Sequence, residues 1–159
     1  MDVKRNLCVI GVALVLRGGL WFLPEAWVVR VLCVVPAWGA ALWHGVVPGA
    51  DLGFCVGEHA FAMTRACAAE GFVALLTAIV GVRRWRWLWA VWPTAMAVNT
   101  LRIITTTTLA LHLPMGFAYE RLVHEVAGLT WFFGALLAAW ILTEQKETSD
   151  GPELPRSTD

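Results

Sequence analysis

Apolar positions along this chain gather into five long runs separated by short polar or basic stretches. Residues 7–23 form the first, interrupted by Arg17-Gly18-Gly19 and closed by Pro24-Glu25. Residues 27–47 form the second, with Arg30 near its start and Pro36 inside. Residues 66–82, 87–113 and 122–142 form the third, fourth and fifth. Apolar runs of about 20 residues are long enough to cross a bilayer as helices. Residues 48–65 are too polar for a clean span: Asp51, Glu58, His59 and Arg65 lie among Phe54, Phe61 and Met63. They predict a surface loop or an interfacial hairpin. Residues 143–159 are polar with Pro and Gly, which predicts a short disordered tail. The pattern therefore predicts an all-α, polytopic integral membrane bundle of about five transmembrane segments. Residues 1–142 form its single membrane-embedded domain, and 143–159 the cytoplasmic tail.

Composition points the same way. The 159 residues are 58% hydrophobic and 15% charged, with a mean hydropathy of +0.65. That balance fits a membrane protein better than a soluble domain of this length. The formal net charge is +0, so no whole-chain field favours nucleic acid. The first apolar run follows Lys4-Arg5, but no small-residue cleavage site closes it, which predicts an uncleaved first helix. Four cysteines show no CxxC spacing. Trp85, Trp87, Trp89 and Trp92 crowd one helix start, as an interfacial aromatic belt does.

Basic residues give the orientation. Arg83-Arg84-Trp85-Arg86 is the strongest basic loop and is expected on the cytoplasmic side. The third run then travels inward, the fourth outward and the fifth inward again. Cys67 opens the third run and His124 the fifth, so both fall at the outer face. Arg102 is fifteen residues past Trp87. At helical rise that is about 22 Å through a core of about 30 Å, which puts Arg102 at a similar depth. One topology rule thus brings a thiol, an imidazole and a guanidinium together. The N-terminal half leaves three arrangements open. Residues 27–47 do not fully cross, or 48–65 contribute a crossing, or the N-terminus lies outside.

An arginine within an apolar helix costs roughly 2.5–3.5 kcal/mol on insertion scales, so Arg102 calls for a reason. With Cys67 as nucleophile, His124 can take the thiol proton and return it to a leaving amine. Arg102 can donate to an oxyanion or orient a substrate carboxylate. Asn99, Arg102 and Thr106 share a helix face, as do His124 and Gly128, where glycine permits close helix approach. Glu70 has three readings: pairing with Arg65, pairing with Arg102, or tuning the thiol. Plainer readings stand beside these. A cysteine in an apolar helix is packing, a histidine at a helix start is interfacial, and Arg102 snorkels or pairs with Glu70 or Glu125. His44, His59 and His112 with His124 show no metal- or haem-ligand spacing.

Taken as a set, Cys67, Asn99-Thr100-Leu101-Arg102-Ile103 and His124-x-x-x-Gly128, each on its own apolar segment, resemble the exosortase/archaeosortase family, most of all its compact exosortase K type. The resemblance spans residues 27–142. It implies a multi-pass membrane cysteine transpeptidase or protease of the cell membrane, acting on its extracytoplasmic side. The implied substrate is an exported protein carrying a C-terminal motif, one transmembrane helix and a basic cluster. The implied roles are Cys67 as nucleophile, Arg102 as oxyanion or substrate-orienting residue, and His124 as base and acid. Acyl transfer through a thioester calls for no metal or organic cofactor. The chain departs from the family's Cys-Ser/Ala-Gly pattern at Ala69, and Glu70 is an unexpected acid there. The alternative is a non-enzymatic membrane assembly subunit, or an inactive member of the family. The oligomeric state is left open.

Overall fold

The computed structural model describes residues 3–113 and 117–149. It contains five α-helices and one small hairpin: α1 (Val3–Trp21), α2 (Glu25–Trp43), β1 (Phe54–Val56), β2 (His59–Phe61), α3 (Glu70–Arg84), α4 (Leu88–His112) and α5 (Phe117–Ser149). Short 3-10 turns at Arg65–Ala68 and Trp85–Trp87 lead into α3 and α4. The all-α expectation holds, with the expected hairpin inside residues 48–65.

The expected five spans are not matched. Three stretches are long and apolar enough to cross a membrane: Glu25–Trp43, Arg65–His112 and Leu122–Glu144. The middle one is not a single rod. Arg84 leaves the helical region at φ −149°, ψ 64°, and the turn at Trp85–Trp87 folds the stretch into α3 and α4. α3 has 15 residues, which at helical rise reach only about 22 Å. α1 carries Lys4, Arg5 and Arg17. The exterior is nonetheless apolar: Leu14, Val15, Trp27, Leu42, Leu129, Phe133 and Leu142 are all more than half exposed. Such a surface suits a lipid surround rather than water. Residues 143–149, expected as tail, continue α5 to Ser149; residues 150–159 lie outside the described residues.

Small residues set how closely the helices approach. A side chain on Gly39 of α2 would meet the Thr100 methyl of α4 at 2.5 Å, so glycine there lets the two backbones close. α2 ends in a Schellman motif. Gly45 at φ +73° donates to the Leu42 carbonyl at 3.1 Å, and Val46 to Ala41 at 2.9 Å. That stop redirects the chain into the hairpin. The core clusters Leu32, Cys33, Phe72, Leu76 and Met96 between α2, α3 and α4. At the other end Arg83 lies against the Trp140 ring at 3.6 Å and donates to Asn6 at 3.0 Å, tying α1, α3 and α5.

Candidate active site

Cys67 is not in α3, where the sequence pattern put it. It sits on the 3-10 turn Arg65–Ala68, followed by Ala69 in the left-handed region at φ +53°, ψ 37°. Only then does α3 begin, with Glu70. The turn is held from several sides. Its backbone closes through Cys67 N–H to the Thr64 carbonyl at 2.9 Å. Arg65 donates to Glu70 at 2.6 Å and to the carbonyls of Leu20 and Leu23 at 2.7 and 3.2 Å. Glu25 accepts from the Arg65 N–H at 3.2 Å. Glu70 is therefore committed to Arg65, the first of its three readings; it anchors the turn. The left-handed conformation favours glycine: an Ala there is strained by roughly 1–2 kcal/mol. Ala69→Gly is expected to stabilise the fold by about 0.5–1 kcal/mol, after the extra entropy glycine loses on folding. A thermal melt checks it, and an unchanged or lower midpoint would count against the strain.

Arg102 is only 3% exposed and Asn99 1%. They form a relay between three elements. The Asn99 amide donates to the Cys67 carbonyl at 2.8 Å. Asn99 Oδ1 accepts from Arg102 Nη1 at 3.2 Å. Arg102 Nη2 reaches the Ala66 carbonyl at 3.5 Å and lies 2.6 Å from His124 Nε2 and 3.2 Å from Nδ1. A guanidinium only donates, so the ring nitrogen it meets accepts, and His124 is held as neutral imidazole. Arg102 Nε has no partner among the described residues. Phe132 of α5, stacked on Phe72 at 4.5 Å, lies 5.1 Å from the guanidinium carbon. A Cβ on Gly128 would come 3.2 Å from Arg102 Nε. Glycine thus clears the guanidinium its place against α5. Gly128→Ala gains about 1 kcal/mol of helix propensity but displaces a clamped guanidinium. The expected result is a melting point that does not rise by that gain, because the guanidinium must leave its slot. A midpoint raised by the full propensity gain would show that Gly128 does not hold Arg102 in place.

A cavity of about 430 Å³ opens between the hairpin, α4 and α5, with Cys67 and His124 both on its wall. Arg102 is not on that wall. It lines a second opening of about 540 Å³ with Ala66, His124, Gly128 and Phe132. His124 therefore stands between the two, and Arg102 stands behind it. Cys67 Sγ and Thr64 Oγ1 are 3.7 Å apart, the thiol's one hydrogen-bond contact among the described residues. No hydrogen bond joins Cys67 to His124 among them. The turn residue Thr64, the carbonyl of Ala66 and the wall residue Thr107 have no distinctive sequence spacing, whereas Thr106 shares the helix face of Asn99 and Arg102 and lines the cavity. Arg65, two residues before Cys67, was the readable signal for the clamp.

The remaining histidines lie apart from this relay. His44 Nε2 donates to Thr107 Oγ1 at 2.9 Å, and that hydroxyl donates onward to the Ile103 carbonyl at 2.9 Å. Burial and the neighbouring His112 hold the His44 imidazole below its ordinary range. Among the described residues no three His, Cys, Asp or Glu gather as metal ligands do. In comparisons with protein families, curated proteins and solved structures, the chain finds no match in any of the three.

Proposed function

We propose that this chain is a multi-pass membrane cysteine transpeptidase or protease that cleaves exported proteins on the extracytoplasmic side of the cell membrane. The observation that carries the reading is the relay from the Cys67 turn through Asn99 and Arg102 to His124, beside a cavity walled by both the thiol and the imidazole. Three elements remote in sequence converge there, and a structural arginine alone does not need a thiol and an imidazole on one cavity wall. The substrate is an exported protein with a C-terminal motif, a transmembrane helix and a basic cluster.

The reaction balances as follows. Cys67 Sγ attacks the scissile carbonyl; a C–S bond forms while the thiol proton passes to His124. The C–N bond breaks and His124 returns that proton to the leaving amine. The thioester then yields to an amine or to water. In the resting structure the acceptor nitrogen of His124 is turned to Arg102. For His124 to act as base, Arg102 must redirect its N–H hydrogen bond from the imidazole to the carbonyl oxygen that becomes negative, keeping its proton. Substrate binding thereby frees the base and supplies the oxyanion donor in one motion. The test is capture of the intermediate. Acid quench during turnover, followed by mass spectrometry, is expected to show a hydroxylamine-labile acyl group on Cys67. Turnover that never places an acyl group on that residue would sink the mechanism.

A non-enzymatic membrane assembly subunit is the second reading. It is favoured by the Arg102–His124 contact and by the absence of a Cys67–His124 hydrogen bond among the described residues, both of which suit helix-holding polar groups. Catalytic hydrogen bonds in unliganded enzymes are often long, which leaves the first reading ahead. The subunit reading predicts no acyl-enzyme under any condition.

A further inference from the structure

The hairpin has a free edge, and that edge faces the cavity. Gly57 at φ +60° followed by Glu58 makes the two-residue loop of a type II′ turn. In such a hairpin the closing pair, Val56 and His59, exchanges both hydrogen bonds. The pattern then alternates: Phe54 and Phe61 pair through hydrogen bonds, whereas Cys55 and Ala60 do not. The N–H and C=O of Ala60 therefore point away from β1, and Ala62 lies one residue past the end of the ladder at Phe61. Ala60 and Ala62 both line the 430 Å³ cavity; no β1 residue does. Among the described residues no backbone group pairs with this outer edge.

We infer that the free edge of β2 is the substrate-binding strand. An extended peptide segment of the substrate pairs with Ala60 and Ala62 as a third strand, and its scissile carbonyl is delivered to Cys67. The inference rests on the proposed acyl-transfer reading and adds how the substrate is held. Edge strands are hazards that proteins usually cover or charge. Here the two positions carry only methyl groups, so the edge is uncovered. Strand addition uses such an edge for main-chain affinity, with side-chain pockets for selectivity. The chain from Ala62 leads through Met63 and Thr64 directly into the Cys67 turn, so the edge and the nucleophile are continuous. The opposite wall offers Ile103 and Val123 to a substrate side chain. A cavity of this volume lies within the range of sites for small ligands and short peptide segments. A lipid tail has neither donor nor acceptor to satisfy the edge; a peptide has both.

The test uses the full-length protein and three alkylating probes of Cys67. They are acetyl-(Ala)3 chloromethyl ketone, the same compound N-methylated at its backbone amides, and iodoacetamide. Each forms a C–S bond with loss of halide, and mass spectrometry confirms the position. The tripeptide is expected to react about tenfold faster than its N-methylated analogue, which lacks the N–H groups. Ala60→Pro and Ala62→Pro each remove an outward N–H without touching the hairpin ladder, a substitution edge strands tolerate. Both are expected to slow the tripeptide severalfold, because its carbonyls lose a donor, while leaving the iodoacetamide rate at Cys67 unchanged. Equal rates for the two peptide probes in the parent protein, or a tripeptide rate unchanged by both prolines, would overturn the strand. So would faster labelling by a hexadecyl iodoacetamide than by the tripeptide. The function reading fails separately. It falls if iodoacetamide modifies Cys67 no faster than exposed Cys55, whatever the peptide ratio.

Discussion

Cys67→Ala is expected to abolish cleavage of a co-expressed exported substrate while leaving the protein folded and inserted. The two halves of this result have different physical sources. Removing Sγ removes the nucleophile, and no neighbouring hydroxyl substitutes: Thr64 Oγ1 lies on the same turn but lacks a base. The fold survives because the turn is held by its backbone and by Arg65. The Cys67 N–H to Thr64 bond and the Asn99 bond to the Cys67 carbonyl are both backbone features of residue 67 and persist in alanine. Sγ itself makes one long hydrogen-bond contact among the described residues, at 3.7 Å, beside the apolar packing of Cys67. The expected stability loss is about 1 kcal/mol or less, a small change for a half-buried sulfur. Immunoblots of substrate length report the first half and a thermal melt the second. Normal processing by the alanine variant would remove Cys67 from the chemistry; a collapsed melt would make the turn, not the thiol, the explanation.

Much of this site could be read from periodicity and charge. Helical spacing put Asn99 and Arg102 on one face and His124 beside Gly128; the structure bonds the first pair and places the second pair on one opening, with Gly128 against Arg102. The basic loop at 83–86 gave the alternation of directions that brings the starts of two helices level with the end of a third. The boundary at Cys67 was not legible. Ala66-Cys67-Ala68-Ala69 contains neither Gly nor Pro, so nothing in the composition marks a turn where a left-handed residue stands. The span count failed for a related reason. Arg83-Arg84-Trp85-Arg86 reads as a basic loop, but Arg83 and Arg84 close α3 and a single 3-10 turn at Trp85–Trp87 leads into α4. Residues 143–147, Thr-Glu-Gln-Lys-Glu, look like a tail by polarity but include good helix formers, so α5 carries on through them. Arg102 was expected to face the thiol and imidazole as an equal. It instead lies behind them, because Phe132 and Gly128 shape a slot for it against α5.

That position makes Arg102 sensitive to substitution. Arg102→Ala would leave Asn99 Oδ1, the Ala66 carbonyl and His124 without their shared donor at a point 3% exposed. Orphaned buried groups and the emptied slot together are expected to cost about 3–5 kcal/mol. Loss of processing in that variant would be uninformative by itself, since a loss of that size lowers the amount of folded protein. Arg102→Lys is the sharper experiment. An ammonium keeps the charge but not the planar fork, and cannot serve Asn99 through Nη1 and His124 through Nη2 at once. The expected stability loss falls to about 1–3 kcal/mol. Processing should fall by roughly a hundredfold, the scale of losing one oxyanion donor. The relay predicts more than two separate losses. Asn99 passes the position of Arg102 to the Cys67 carbonyl, so Asn99→Ala combined with Arg102→Lys should be less damaging than the product of the single effects. A coupling of about 0.5–3 kcal/mol between them would mark one unit. Strict additivity would mean that Asn99 and Arg102 act separately, and that the turn and the imidazole are held by independent means.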